Sequence, residues 1–197
     1  MSTKVLDKVA TFNKEYSYIK NEKHKENIKK LVNMLPDYFF EVAASSTGKY
    51  HPSISLGEGG LVRHSKTVVR IGHELCVNNS IGSAFTEEEK DLMLCALLVH
   101  DGLKHGLNYS KYTAFDHPLQ MSKFIKDNKS EFTWTDKEVN FICSCIETHM
   151  GEWTKDYQGN EILQKPTNKY QKFVHMCDFL ASRKFLNIEF INGDIVD

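Results

Sequence analysis

The sequence is poor in residues that break regular structure. Of its 197 residues, 4 are proline and 11 are glycine, too few for a β-sandwich with its frequent turns. Long segments instead place apolar residues at helical spacing. We therefore expect an all-α fold. The length suits one domain, and no repeat or linker divides the chain, so residues 1–197 are predicted to form a single domain.

Long apolar runs are also missing. No stretch is apolar for long enough to span a bilayer, and the N-terminal stretch lacks the apolar segment and small-residue cleavage site of a secretory signal. We expect a cytoplasmic protein without a membrane partner. The five cysteines are odd in number and irregularly spaced, which predicts buried thiols in a reducing compartment.

Neither sign of charge dominates the composition. Lys plus Arg number 25 and Asp plus Glu number 26, for a formal net charge of −1, so no basic surplus indicates duplex nucleic acid as a partner. A local basic patch stays compatible with this balance. Apolar residues at 41% and aromatic residues at 11% exclude a disordered chain.

Periodicity and capping signals predict seven helices. The pairs Thr86 with Glu89 and Thr135 with Glu138 have the capping-box spacing that starts a helix. Residues 43–60 contain glycines and a proline that disfavour regular structure, and such long loops in compact domains are usually functional. The helices are expected at 4–20, 26–35, 61–78, 87–100, 118–127, 136–149 and 167–187.

Histidine and aspartate placement carries the strongest functional signal. His100 and Asp101 close the most apolar predicted helix, so an imidazole and a carboxylate emerge from the interior at a helix end. A buried carboxylate requires partners, and a divalent cation supplies them. Taken alone, this dipeptide is more typical of a helix cap beside a core histidine.

Five motifs in order extend this signal over most of the chain. Together they resemble the HD-domain metal-dependent phosphohydrolases, in the branch with an H…HD…H…H…D arrangement, and most closely the small stand-alone HD proteins of bacteria and their phages. The resemblance implies an HD-domain helical bundle with a metal site in its core, spanning about residues 40–187, preceded by N-terminal helices in 1–39. The motifs are Gly59-Gly-Leu-Val-Arg-His64, His100-Asp101-Gly-Leu-Lys104, His117-Pro118, Thr148-His149-Met-Gly151 and Cys177-Asp178-Phe-Leu-Ala-Ser-Arg183.

The resemblance also implies a ligand set for two divalent ions. One ion would be held by two histidines and two aspartates, and a second by two further histidines, with the first aspartate as the bridge. This donor set suits Mn, Fe, Co, Ni or Zn better than Ca, and Mg is a further candidate. The residues are His64, His100, Asp101 and Asp178 for the first ion, and His117 and His149 for the second.

Such a pair of ions implies hydrolysis of a phosphoester or phosphoanhydride. The expected partner is a small phosphorylated substrate, in particular a nucleotide. A simpler interpretation of His117 and His149 is that they begin and end helices. The remaining histidines match no motif and are expected at the surface or behind the ligands: His24, His73, His105 and His175.

Several further residues are candidates for catalysis or anion binding. Lys104 follows Asp101 by three residues, where the related HD-GYP phosphodiesterases also carry a lysine, so a catalytic contact with phosphate is expected. The GYP segment itself is missing, which argues against cyclic di-GMP as the substrate. Glu58 and His51 are candidates to orient the attacking water or contact the substrate. The other candidate substrate ligands, each by itself more typical of a surface charge, are Lys49, Arg63 and Arg183.

Two alternative functions stay open at this stage. A 3′–5′ exonuclease or phosphodiesterase acting on short single-stranded nucleic acid would use the same chemistry with a differently shaped groove. Similarity to the HD part of bacterial 3′–5′ exoribonucleases is visible, without their oligonucleotide-binding barrel. A degenerate nucleotide-binding regulatory module is the other alternative, and the presence of all six ligand positions weighs against it.

Overall fold

Helices dominate the computed structural model, which describes residues 7–45, 48–49, 51–186 and 188–196. This architecture confirms the all-α prediction at the level of fold class. Short 3₁₀ turns within the described residues occur at Ala10–Phe12, Asp37–Phe40, Ser53–Ser55 and Lys129–Glu131. The α-helices are α1 (Asn13–Tyr16), α2 (Glu22–Met34), α3 (Gly60–Val77), α4 (Asn79–Gly82), α5 (Glu87–Val99), α6 (His117–Asp127), α7 (Asp136–Glu147) and α8 (Lys169–Ala181).

Helix α5 lies at the centre of the bundle. Every residue from Asp91 to Val99 is buried, and α5 packs against α3, α7 and α8. Close packing with α3 depends on Gly72, since a Cβ there would lie 2.4 Å from Leu97 Cδ1. The end of α5 therefore delivers the next residues of the chain into the middle of the protein.

The capping boxes predicted from sequence are present. Thr86 and Glu89 bond reciprocally at the start of α5, and Thr135 and Glu138 do so at the start of α7. Each pair satisfies backbone N–H groups that a helix start leaves without partners. These two helices consequently begin where the sequence indicates.

The predicted helix over 4–20 is wrong in extent. Residues 4–6 lie outside the described residues, and the remainder holds a 3₁₀ turn followed by the single turn of α1. The buried Asp91 carboxylate accepts hydrogen bonds from the backbone N–H groups of Lys20, at 3.0 Å, and Asn21, at 2.7 Å. This tertiary contact fixes the chain between α1 and α2, and α2 begins at Glu22 rather than Glu26.

The C-terminal part of the chain also differs from the prediction. The helix expected over 167–187 ends at Ala181, and a short antiparallel hairpin follows, with strands β1 (Phe190–Ile191) and β2 (Asp194–Ile195). Its Asn192-Gly193 turn has positive φ at both residues, the conformation that this dipeptide favours in tight hairpins. The hairpin docks on α3 because Lys66 Nζ donates to the carbonyl of Gly193 at 2.8 Å.

The loop predicted over 43–60 is irregular apart from the 3₁₀ turn Ser53–Ser55. Ser46, Thr47 and Tyr50 of this loop lie outside the described residues. Gly60, at its end, must be glycine, since a Cβ would lie 2.3 Å from the Ser55 carbonyl oxygen. None of the helices within the described residues combines the length and apolar character that crossing a bilayer requires.

Candidate metal centre

Five segments of the chain bring all six predicted ligands together. Five of these residues are buried, and the Asp178 side chain is 18% exposed. Three overlapping groups drawn from them could hold a metal ion. The ligands are His64 on α3, His100 and Asp101 after α5, His117 at the start of α6, His149 after α7 and Asp178 on α8.

Asp101 lies at the middle of the cluster and faces two separate pairs of histidines. Its Oδ1 lies 2.9 Å from His117 Nε2 and 3.6 Å from His149 Nε2. Its Oδ2 lies 3.8 Å from His64 Nε2 and 3.5 Å from His100 Nε2. One carboxylate therefore divides the cluster into two halves.

Asp178 places a second carboxylate closest to one half. Its Oδ1 lies 3.0 Å from His64 Nε2 and 3.5 Å from His100 Nε2. The half around His64 and His100 thus contains oxygen atoms from both aspartates. The half around His117 and His149 contains oxygen from Asp101, and His149 also has a carboxylate oxygen of Asp178 within 4.8 Å.

Backbone carbonyls orient three of the four rings. A carbonyl only accepts hydrogen bonds, so each Nδ1 that contacts one carries the proton, and the neutral ring then presents a lone pair at Nε2. Carbonyl contacts of this kind commonly fix the orientation of histidine ligands to metals. The contacts join His100 Nδ1 to Leu97 O at 2.7 Å, His117 Nδ1 to Ala114 O at 2.7 Å and His149 Nδ1 to Ile146 O at 2.8 Å.

The inward-facing Nε2 atoms of these three rings therefore offer lone pairs, whereas His64 Nε2 lies within hydrogen-bond distance of Asp178 Oδ1, at 3.0 Å. The Nε2 of His100 and the Oδ1 of Asp101 are buried without a hydrogen-bond partner, and the Nε2 atoms of His117 and His149 lie 3.3 Å apart. Buried acceptors that face one another need a shared proton or cation. Two ligand atoms, each about 2.1 Å from a common ion, lie roughly 3.0–3.4 Å apart in tetrahedral or octahedral geometry. The observed spacings of 2.9–3.8 Å bracket this range.

The electrostatics of the site also favour a cation. Burial is the largest influence on the pKa of Asp101 and raises it, but Lys104 and His100 outweigh burial, so the pKa lies well below its ordinary value. The pKa of Asp178 is also well below ordinary, because His100 and His64 outweigh the same effect of burial. Two ionised carboxylates thus lie in this cluster, stabilised by the Lys104 ammonium and by protons on the facing imidazoles, and a divalent cation can take the place of those protons.

Lys104 is buried and reaches the site directly. Its Nζ donates to Asp101 Oδ2, the oxygen that also faces His64 and His100. The backbone of this segment is held in place, since the Ala114 N–H donates to the Lys104 carbonyl at 2.9 Å. The lysine that the sequence suggested for phosphate contact consequently lies within the cluster.

The predicted residues of the 43–60 loop have different placements. The half-buried His51 packs edge-on against His64, with ring centroids 5.0 Å apart. Burial, followed by the charges of His64 and Lys104, lowers the pKa of His51 to about 3. Glu58 and Lys49 are exposed in the loop. The structure therefore brings His51 to the cluster, and the roles suggested for Glu58 and Lys49 stay predictions.

The two candidate arginines are engaged by the protein itself. Arg63 donates from Nε to the Ile54 carbonyl and, at 2.9 Å, from Nη2 to the Leu56 carbonyl, so it fixes the loop that carries His51. The guanidinium of Arg183 lies 4.3 Å from the centre of the Phe179 ring. Anion binding by either arginine stays a prediction.

His175, which the sequence placed at the surface or behind the ligands, supports one ligand. Its Nδ1 contacts the carbonyl oxygen of His149 at 2.7 Å. Its ring fills the space beside Gly151, where φ is +65° and a Cβ would lie 2.1 Å from His175 Cε1. His175 precedes Asp178 by three residues, the spacing that places both on one face of α8. This spacing is the signal that could have identified it.

A second histidine cluster lies elsewhere and is unsuited to metal binding. His24, Glu88 and Glu138 place potential ligand atoms near one another. However, Trp134 Nε1 donates to His24 Nδ1 at 3.0 Å, so the neutral ring carries its proton on Nε2. That Nε2 lies 3.8 Å from Glu138 Oε1. A protonated ring nitrogen offers no lone pair to a metal.

Comparisons with protein-family models, with curated proteins and with solved structures found no match. Membership of the HD-domain family therefore stays a prediction from the motifs. The arrangement of acceptor atoms around Asp101 carries the functional interpretation.

Proposed function

We propose that this protein is a metal-dependent phosphohydrolase with an HD-type centre for two divalent ions, acting on a nucleotide or a related phosphoester. The observation that carries the proposal is the position of Asp101, whose two oxygens face separate pairs of imidazole Nε2 atoms. A carboxylate in this position can bridge two ions, and paired ions are suited to in-line displacement at phosphorus.

The residues present fit such ions. His64, His100, Asp101 and Asp178 would hold one, and Asp101, His117 and His149 the other. When bound, divalent cations supply Lewis-acid activation of water and neutralise phosphoryl oxygens. The mixed imidazole and carboxylate set favours Mn, Fe, Co, Ni or Zn, and Mg is a weaker candidate.

The chain's own residues provide orientation and charge. Backbone carbonyls fix the rings of His100, His117 and His149 before any ligand arrives, which limits the reorganisation needed for binding. The buried ammonium of Lys104 lies at Asp101. From there it can donate to a phosphoryl oxygen and stabilise the negative charge that develops during the reaction.

One observation favours the nucleic-acid alternative. The segment between Asp101 and His117 exposes Tyr109 by 58% and Tyr112 by 65%, and Lys111 Nζ lies 5.7 Å from the centre of the Tyr112 ring. Exposed aromatic rings beside a cation are typical of surfaces that stack single-stranded bases. A 3′–5′ exonuclease acting on short single strands is therefore our second candidate.

A reconstitution assay tests both candidates. Protein stripped with a chelator would be reloaded with each metal in turn and given nucleoside monophosphates, nucleoside triphosphates, cyclic nucleotides and short oligonucleotides. We expect metal-dependent cleavage of a nucleotide, with turnover absent in the stripped protein. Faster cleavage of oligonucleotides from the 3′ end would favour the exonuclease. Metal-loaded protein that cleaves none of these compounds would contradict the proposal.

A further inference from the structure

A cavity of about 350 Å³ lies between two segments of the chain. One wall comes from the loop before α3 and the other from the segment that follows α8. The lining is about equally apolar and polar, and its polar groups include those of a serine, a histidine and a lysine. The residues are His51, Pro52, Ser53, Ile54 and Leu56 on one side, and Lys184, Leu186 and Ile188 on the other.

His51 connects this cavity to the metal centre. It lines the cavity, and its ring packs against that of His64 with centroids 5.0 Å apart. A molecule held in the cavity would therefore lie one side chain away from the proposed ligands. The cavity is placed to receive the part of a substrate that does not react.

The loop wall is held in position by a contact outside the cavity, since Arg63 donates to the carbonyls of Ile54 and Leu56. The other wall leads into the C-terminal hairpin, and Lys66 holds that hairpin through Gly193 O and, at 2.6 Å, Asp194 Oδ1. A loop wall fixed in advance reduces the entropy lost when a ligand binds.

Size and chemistry indicate the occupant. Small-molecule pockets range from about 300 to 1,000 Å³, so this cavity has room for one nucleoside rather than for a run of nucleotides. Apolar side chains on two facing walls suit the faces of a flat base. Ser53 and His51 offer hydrogen bonds to its polar edge, and Lys184 adds a cation.

We propose that this cavity binds the nucleoside part of a mononucleotide whose phosphate lies at the metal centre. This inference rests on the proposed phosphohydrolase function and names its substrate class. It favours mononucleotides over oligonucleotides as substrates.

The first test measures binding without metal or turnover. Adenosine, guanosine, cytidine, uridine and ribose would be added to chelator-treated protein, and saturation transfer from protein to ligand observed by NMR. We expect transfer to at least one nucleoside and none to ribose. Leu186→Trp and Ser53→Trp fill the cavity from opposite walls, and each should weaken nucleoside binding by about tenfold or more. Ile191→Trp, on the exposed hairpin, is the matched control and should bind normally.

The second test compares two substrates of the metal-loaded enzyme. The ratio of kcat/KM for the preferred nucleoside monophosphate to that for ribose 5-phosphate should fall by about tenfold or more in both tryptophan variants. An unchanged ratio, or nucleoside binding that resists both substitutions, would overturn the cavity proposal and leave the phosphohydrolase intact. Nucleoside binding lost in both variants, without hydrolysis by the wild type, would support the cavity and overturn the hydrolase. Melting temperatures would confirm that each variant folds.

Discussion

Two clusters of histidine and acidic side chains lie within the described residues, one around Asp101 and one around His24. Both contain a fully buried imidazole, a buried carboxylate and a lysine that contacts this carboxylate. They differ in the partner of the ring Nδ1. At His100 it is a carbonyl, which only accepts a hydrogen bond, and at His24 it is the indole N–H of Trp134, which only donates.

This difference decides what each cluster can bind. In the Asp101 cluster the Nε2 lone pairs of His100, His117 and His149 face the carboxylates, so these three rings and the two acids form a set of acceptors that needs a cation. In the His24 cluster the Nε2 carries the proton and therefore offers no lone pair to a metal, and Glu138 Oε1 lies 3.8 Å away, beyond hydrogen-bond distance. Buried histidines near acids therefore indicate a metal site only when their outer hydrogen bonds leave the inner nitrogen unprotonated.

The largest expected effect comes from exchanging the central carboxylate. Asp101→Asn removes charge with little change of shape, and it should abolish turnover and release metal, because both halves of the centre use this group. Glu138→Gln is the matched control in the other cluster. It preserves the capping-box pattern and should retain all metal, with a loss of stability of about 1 kcal/mol or less. Elemental analysis and the phosphatase assay measure both variants. Full metal content in Asp101→Asn would refute the assignment.

Removing one histidine from the half without Asp178 should have a narrower effect. His117→Ala or His149→Ala is expected to reduce metal content from about two ions to about one per chain, with a large loss of rate. The remaining ion would stay with His64, His100 and both aspartates. If either variant kept two ions, or lost both, the division of the cluster into two halves would be wrong.

A substitution at Lys104 distinguishes metal binding from the stabilisation of negative charge on the substrate. Lys104→Met keeps most of the apolar stem and should leave metal content intact while reducing kcat/KM by about 10²-fold, since the ammonium would no longer stabilise developing charge. Lys123→Met, at a surface ion pair with Asp127, is the control and should not alter the kinetics. Unchanged kinetics in Lys104→Met would show that other positively charged side chains bind the phosphate.

The smallest functional effect is expected at His24. His24→Leu leaves the buried Trp134 N–H without its acceptor and should lower the free energy of unfolding by about 1–3 kcal/mol, with metal content and activity unchanged. His24→Gln supplies a new acceptor and should recover part of the loss. Thermal denaturation and elemental analysis follow the two variants. Metal loss in His24→Leu would show that the two clusters are not independent.

The helical core could be predicted from the sequence because local signals and burial agree there. The capping boxes at Thr86 and Thr135 mark helix starts that tertiary contacts do not alter. The first predicted helix failed because its end depends on Asp91, a residue some seventy positions away whose carboxylate holds the backbone of Lys20 and Asn21. The spacing of apolar residues along the chain gives no information about a contact between such distant positions.

At the candidate site, too, local sequence signals could be predicted and long-range contacts could not. The motifs contain all six candidate ligands, Asp101 and the five residues that the structure gathers around it, because each occupies a helix or its end in the expected order. They could not indicate which ring nitrogen faces inward, since this depends on the carbonyls of Leu97, Ala114 and Ile146. The motifs also omit His175, whose contact with His149 joins two distant segments.

The metal content of the wild-type protein tests the central claim most directly. Crystals of protein reloaded with Mn or Zn would be measured at the absorption edge of the metal, and elemental analysis would give the number of ions per chain. The account predicts two anomalous peaks, one at each oxygen of Asp101, with His64 and His100 at the first and His117 and His149 at the second. A cluster without any metal, its histidines hydrogen-bonded to the aspartates, would contradict it.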